Sequence, residues 1–362
     1  MCGKRHEALS ALWQCRGRIT VVSYNKILGG LIGGAAGDAM GAATEARSYG
    51  QIIKEWGAKV TDLVAPPMDT FGRGNEAGGF TDDFSSAFFV ADEIVKNNGI
   101  VDEEAVKRAL IEWSRHPEFF DRFAGPTTRL AIRRFEGEKI EESTGVKNKS
   151  RSATNGSAMR ISPLGLINAG NIEKAINDAV LVAGITHNNT LALSGACAVS
   201  AAVCKATDEG ADIYDVIEAG IYGAKRGEKT GLERGSKVAG PSVVKRLELA
   251  ADIGLGKGTV EEKVLQIYDV IGTGLHISSA VPSAFGFAAA CGGDTMTTLT
   301  EAINAGYDTD TVGTMAGALV GALNGADSFP DHFLPVMEKA NGLMIKELAD
   351  RIYALHRAKA DR

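Results

Sequence analysis

Residues 25–46 read NKILGGLIGGAAGDAMGAATEA, and the glycines in that stretch decide which folds the chain can adopt. Gly30, Gly34, Gly37 and Gly41 recur at intervals of 4, 3 and 4, which draws one stripe down a helix. Each glycine destabilises a helix interior by about 1 kcal/mol relative to alanine. Four of them require compensation, most simply the backbone of a second helix pressed against the stripe. Asp38 and Glu45, seven apart, project from a common face, and a carboxylate on so closely packed a helix needs a partner.

The same three- and four-residue spacing runs through VDEEAVKRALIEWSRH (101–116), NIEKAINDAVLVAGI (171–185) and TLTEAINAGY (298–307). Period-two strands are scarce, so the expectation is an all-α fold, a single globular helical array with many short connections. Residues 1–22 read as a disordered N-terminal extension and 23–362 as a single domain. Two polar, charged stretches, 133–157 and 223–250, read as surface excursions.

Composition narrows the function classes. With 44% hydrophobic and 23% charged residues the chain is ordinary for a globular protein, but 44 of its 362 residues are glycine. The formal charge of −6, with no long Lys/Arg run, excludes a basic nucleic-acid footprint. Five cysteines, Cys2, Cys15, Cys197, Cys204 and Cys291, show no metal or redox spacing and suggest a reducing compartment. No apolar run reaches the roughly 18 residues of a membrane span, and the N-terminus lacks a signal-peptide core. The expected location is the cytoplasm.

Two acidic pairs carry the chemistry. In GGFTDDFSSAFFVADEIV (78–95), Thr81 is a helix N-cap and Asp82 and Asp83 fill the first turn, where the helix dipole favours negative charge. In AGYDTDTVGTMAGALVGALNG (305–325), Asp308, Asp310 and Thr311 precede a small-residue helix expected to begin near Val312. Either pair alone is explained by capping. If both helix ends converge, four carboxylates share one site and need cations among them. Oxygen donors without His or Cys point to hard Mg²⁺, Mn²⁺ or Ca²⁺, two ions in number. An EF-hand is excluded by Val312 and Leu319, which stand where that loop needs oxygen ligands.

Taken in order, GGAAGDAMGAATE (33–45), FTDDFS (80–85), NGSAMRISPLGL (155–166), THNNTLALSGA (186–196) and NAGYDTDTVGTMAGALVGALNG (304–325) resemble the ADP-ribosylglycohydrolase family. The resemblance, to relatives of the dinitrogenase-reductase-activating type, runs from about Ile27 to Gly325. It implies an all-α orthogonal bundle with two Mg²⁺ or Mn²⁺ ions in a cleft. By position, Thr81, Asp82 and Asp83 would serve the metals from one side and Asp308, Asp310 and Thr311 from the other. Glu45 would move a proton or place water, with Asp83 beside it in the reaction, while Asp38 would be structural. Asn155, Gly156, Ser157, His187 and Gly125 would line the substrate.

The implied reaction is cleavage of the glycosidic bond at ribose C1 of an ADP-ribose conjugate. The implied partner is a small or ADP-ribosylated substrate, with no nucleic acid and no membrane. Phe123 and Ala124 stand before Gly125 where arginine-specific relatives often carry an acidic residue, and Tyr307 replaces a common glycine. GLERGSKVAGPSVVKRLELA (231–250) is similar to a bacterial subgroup acting on small nucleoside-like ribosides, which is the second reading. A third is a crystallin-like bundle without activity, against which stands the presence of Glu45 and all four motif aspartates.

Overall fold

The computed structural model describes residues 22–140 and 152–360; apart from Val22, the expected N-terminal extension lies outside them. Among the described residues are 17 α-helices and no strand beyond isolated bridges, the all-α fold that the helical spacing announced. The first are α1 (Tyr24–Gly41), α2 (Tyr49–Trp56), α3 (Asp82–Lys96), α4 (Glu103–Ser114) and α5 (Pro117–Phe123). Then follow α6 (Pro126–Phe135), α7 (Ser162–Ile167), α8 (Ile172–His187), α9 (Thr190–Ala206) and α10 (Ile213–Arg234). The chain continues through α11 (Val243–Gly254), α12 (Val260–Val270), α13 (Ile277–Ala290) and α14 (Thr295–Asn304). It ends with α15 (Thr309–Asn324), α16 (Phe333–Asn341) and α17 (Ile345–Ala360). None of these helices is long and apolar enough to cross a membrane.

At the centre lie α1 and α15, buried on nearly every side, as a helix of small apolar residues without a polar face must be. They run antiparallel in the most extensive helix–helix contact of the molecule. Gly29 meets Gly321, Gly33 meets Gly317, Gly37 meets Gly313, and Gly41 meets Asp310. A Cβ on Gly33 would stand 2.0 Å from the Gly317 carbonyl oxygen, and one on Gly317 would stand 2.1 Å from that of Gly33. No side chain fits between these backbones.

The register corrects the expected stripe. Gly37 and Gly41 belong to it, but Gly29 and Gly33 take the places assigned to Gly30 and Gly34. Those two face Leu166 and Phe84 on the neighbouring side. The reason is geometric: a helix that crosses another at an angle follows a row at i, i+4, i+8, not a line parallel to the axis.

A second seam of the same kind overturns the reading of 223–250 as a surface excursion. Residues 223–234 are the C-terminal half of α10, and 243–250 begin α11. Gly223, Gly227 and Gly231 press against Cys197, Leu193 and Thr190 of α9. Lys225 and Lys229, which gave the stretch its surface look, point outward on the opposite face. The stretch 133–157 is corrected in part. Arg133–Phe135 finish α6, 141–151 lie outside the described residues, and Ala153, Asn155 and Ser157 are buried. Cys197 and Cys204 are buried thiols, each pushed up to about 12 by loss of solvent, so they act as small apolar residues.

Backbone contact at the central seam should make its glycines far less tolerant than their neighbours. Gly33→Ala forces the two helices apart and should cost more than about 2 kcal/mol, within the range for overpacked cores. Gly34→Ala meets only the Phe84 ring at 3.3 Å and gains helix propensity, so it should change stability by less than about 1 kcal/mol. Urea unfolding of the two variants checks the difference; equal stabilities would contradict the register.

Candidate functional site

The antiparallel seam puts the C-terminal end of α1 beside the N-terminal end of α15. Asp38, on the last turn of α1, reaches a third helix end. Its Oδ1 and Oδ2 lie 3.0 and 3.1 Å from the Thr81 N–H, Oδ1 accepts the Thr81 hydroxyl at 2.8 Å, and Oδ2 accepts the Phe84 N–H at 2.8 Å. A carboxylate from α1 thus satisfies donors that the start of α3 leaves free. Asp38 is occupied in holding α3 to α1, as the sequence suggested.

Thr81 caps α3 as expected, its hydroxyl accepting the Asp83 N–H at 3.3 Å. That hydroxyl also lies 3.1 Å from Asp83 Oδ2 but owns one proton, which is already directed at Asp38. Asp83 Oδ1 is buried with no partner. The other helix begins at Thr309, three residues earlier than the position expected near Val312. Thr309 and Thr44 explain the extra turn: the Thr309 hydroxyl donates to the Gly41 carbonyl at 2.9 Å, and the Thr44 hydroxyl lies 3.1 Å from it. Asp308 is left at the cap position and Asp310 in the first turn, with Oδ1 accepting the Thr311 N–H at 2.9 Å.

Asp310 is where the two sides meet. One oxygen each from Asp38, Asp83 and Asp310 lie within 4.8 Å of one another, and so do oxygens of Glu45, Asp308 and Asp310. These acidic clusters could hold metal ions. Burial and mutual repulsion push the acids away from their ordinary values. Asp38 rises to about 8, through burial and then the Asp310 charge. Glu45 rises to about 10, through burial and then Asp310 and Asp308, and its Oε2 is buried without a partner. Burial also drives Asp83 and Asp308 well above the carboxylate range and raises Asp310. Asp82 keeps part of its surface open, like a group on a cleft floor. Burial and Asp310 lift it to about 7 against the opposing pull of Arg160 and Arg129.

Of the remaining expected residues, Asn155 touches Asp308 directly. Asn155 donates its side-chain N–H to Asp308 Oδ2, while its backbone N–H donates to Leu275 at 3.0 Å. Gly156 lies against the His187 ring, 3.4 Å from where a Cβ would stand. The Ser157 hydroxyl is fully buried and faces the Ala192 carbonyl at 3.5 Å. His187 is buried, with Nε2 3.0 Å from the Thr154 hydroxyl and Nδ1 2.7 Å from that of Thr186. Burial, with Arg160 nearby, lowers it to about 3, so it stays neutral and props up the 154–156 turn from behind. Gly125 sits further off, capping α6 with open space at its Cβ position.

Arg160, last residue of NGSAMR, was not singled out from sequence. It is 1% exposed, its Nη2 donates to Thr128 at 3.1 Å, and its Nε and Nη1 have no partner. Burial lowers it to about 10, opposed by the charges of Asp82 and Asp83, so it remains a cation at neutral pH. An arginine five residues after an asparagine in a polar turn gives no sign of such burial. Two strained backbones also escaped notice, at Ala46 and at Tyr307, which the sequence marked only as a departure from glycine. Ala46 (φ 61°) and Tyr307 (φ 70°) are non-glycine residues with left-handed backbone, adjacent to Glu45 and Asp308. They hold each other: the Ala46 N–H donates to the Tyr307 carbonyl at 2.7 Å, and the Tyr307 N–H to that of Arg47 at 2.8 Å.

The sequence model of the family described as ADP-ribosylglycohydrolase matches residues 20–362. An uncharacterized protein of Escherichia coli K12, YegU, is 29% identical over 321 residues, 88% of this chain and 93% of its own. ADP-ribosylhydrolase ARH3 of Bos taurus is 25% identical over 342 residues, 88% of this chain and 90% of that one. The solved structure of an ADP-ribosylglycohydrolase-related protein complex superposes with a TM-score of 0.64 at 22% identity, covering 92% of this chain and 98% of that one. At that identity the superposition speaks for the fold alone.

The raised acids fix the pH response of the metal-free protein. A carboxyl whose native pKa lies above its unfolded value, 3.8 or 4.5 here, binds its proton more tightly when folded. Its stabilising contribution is then full below the unfolded value and is lost as pH rises toward about 7, 8 and 10 for Asp82, Asp38 and Glu45. The melting temperature of chelator-treated protein should fall as pH rises from about 7 to about 9, above the range in which the lowered His187, His276 and His356 act the other way, and excess Mn²⁺ should flatten the slope. A metal-free melting temperature that climbs over this range would contradict the electrostatics.

Proposed function

Because the chain belongs to the ADP-ribosylglycohydrolase family and is a hydrolase of glycosidic bonds, we propose that it cleaves the bond at ribose C1 of an ADP-ribose conjugate, using two divalent cations. The observation that carries this reading is Asp310, shared between two acidic triads whose Asp83 Oδ1 and Glu45 Oε2 are buried without partners. Oxygen donors of this density and burial fit hard cations, Mg²⁺ or Mn²⁺. Thr81, Asp82, Asp83, Asp308, Asp310 and Thr311 would hold them, with Asp38 fixing the helix ends. When bound, such ions supply positive charge beside the reacting ribose and lower the pKa of water.

The protein groups have separable tasks. Glu45, at the edge of the second triad, gives or takes the proton exchanged between water and leaving group. Asp83 orients water from the α3 side, and Asn155 fixes the rotamer of Asp308 through its N–H donor. The backbone N–H groups of Gly156 and Ser157 would serve the substrate, with buried His187 supporting the turn at Thr154 and Gly156. The presence of all these carboxylates on a hydrolase scaffold leaves no support for an inactive, crystallin-like reading.

Arg129 and Arg160 act on Asp82 through their charges. A guanidinium approaching along the Phe123–Ala124 side would meet these two cations and no acidic partner. Desolvating it there would be costly. In a panel of ADP-ribosylated peptides and ribosides, followed by release of ADP-ribose or ribose, the arginine-linked conjugate should have the lowest kcat/KM. Preferred cleavage of ADP-ribosylarginine would refute this.

Glu45→Gln tests the proton role. The amide preserves volume but not the acid, so turnover should fall about 10²–10⁴-fold, while Mn²⁺ occupancy is retained. Loss of the ions together with turnover would show Glu45 to be a metal ligand first.

A further inference from the structure

Beside the acidic centre lies a cavity of about 470 Å³. Its lining includes Tyr268, Asp269, Thr273, His276, Ser279 and Tyr307. The two sites share a wall. The Thr273 carbonyl accepts the Asp308 N–H at 3.3 Å, and the Thr273 hydroxyl donates to the Gly306 carbonyl at 2.6 Å. Leu275, next along the strip, accepts the Asn155 N–H. Between the cavity and Asp308 stand the 273–275 strip, which accepts the Asp308 and Asn155 N–H groups, and Tyr307, the residue that precedes Asp308.

Tyr307 is the unusual member. Its backbone, at φ 70°, is one that a side chain rarely adopts, yet two hydrogen bonds to the Ala46–Arg47 turn hold it there. One side of the ring packs on Gly274, where a Cβ would fall 2.3 Å from Tyr307 Cε1. Even so, the residue is 51% exposed. A large aromatic ring is thus fixed in place at some conformational cost, seated on a glycine, and left uncovered toward a cavity beside a polar centre. Core packing does not account for it, because the ring is not in the core.

We propose that this cavity receives the leaving group and that Tyr307 is the platform beneath it, selecting a flat heteroaromatic group on ribose C1 over an aliphatic one. The proposal rests on the reading of the acidic centre as the place where ribose C1 reacts. Aromatic side chains bind a planar ring through its face, whatever its edge pattern. Here the Asp269 carboxylate and the Ser279 hydroxyl offer hydrogen-bond partners for such an edge. Among the described residues lining the cavity there is no lysine or arginine, and Asp269 adds negative charge, so an anionic leaving group is not what it favours. The nearby Arg246 has its Nη1 engaged by the Ile271 and Ser278 carbonyls and the Ser279 hydroxyl. With 470 Å³ of space, a bicyclic base fits without rearrangement.

The test is equilibrium binding of two probes, inosine and methyl ribofuranoside, to the full-length protein and its Tyr307→Phe and Tyr307→Gly variants. Glycine adopts the left-handed backbone without strain, so the second variant should fold, with a melting temperature at or above that of the parent. The parent should bind inosine at least about 5-fold more tightly than the methyl riboside, the lower end of the stacking range. Tyr307→Gly should weaken inosine by roughly 5- to 150-fold and leave the methyl riboside unchanged. Tyr307→Phe should keep the preference. Absence of saturable inosine binding, equal affinity for the two probes, or undiminished inosine binding by Tyr307→Gly would overturn the proposal. An enzyme that releases ADP-ribose from a conjugate yet shows one of these results would refute the platform alone and leave the glycohydrolase reading standing.

Discussion

The close approach of two helix backbones, α1 against α15, sets everything else. Three pairs of facing glycines, with Gly41 against Asp310 at the end, let carbonyl oxygens of one helix lie where the other would otherwise carry a Cβ. Helices packed through side chains sit about 8–10 Å apart, and removing those side chains allows the carboxylates beyond the glycines to draw together. Because the pair is antiparallel, Asp38 and Glu45 come from one strand of the seam and Asp308 and Asp310 from the other. Asp38 then recruits α3 by capping it, which brings Asp82 and Asp83 to the same point. One packing device therefore assembles acids that lie more than 200 residues apart in the chain.

Such an assembly opposes folding when no cation is present. Its acids have raised proton affinities, two of their oxygens are buried without partners, and the nearest buried cation, Arg160, makes no ion pair with them. The large apolar core and the paired backbones hold the site together against this repulsion. Sites that retain unfavourable electrostatics inside a rigid frame are suited to binding charge, since the frame cannot relax to relieve them. The strained pair Ala46 and Tyr307 follows the same logic on a smaller scale: each holds the other, next to Glu45 and Asp308.

Much of this was readable in the sequence. Helical spacing gave the fold class, and the TDD and DTDT stretches gave the acids, because a cap followed by apolar helix is a local pattern. What was lost depended on tertiary contact. The seam register needed the crossing direction of α15, so Gly30 and Gly34 were chosen in place of Gly29 and Gly33. The helix around Gly223, Gly227 and Gly231 reads as a surface excursion from sequence because its outward lysines hide the glycine row that packs on α9. Arg160 passes unremarked in the sequence, since nothing local reports its burial. Tyr307 was noticed as a departure from a glycine, but its role as a fixed, uncovered ring emerges only with Gly274 and the Ala46 turn in place.

The central claim is that the glycine seam builds a two-cation centre with Asp310 common to both ions. Electron paramagnetic resonance of the protein titrated with Mn²⁺ addresses it directly, because two ions joined through one carboxylate are magnetically coupled. The account requires binding to saturate at two Mn²⁺ per chain, with a coupled spectrum that disappears in Asp310→Asn. A single uncoupled ion at saturation, or a coupled pair that survives Asp310→Asn, would contradict it.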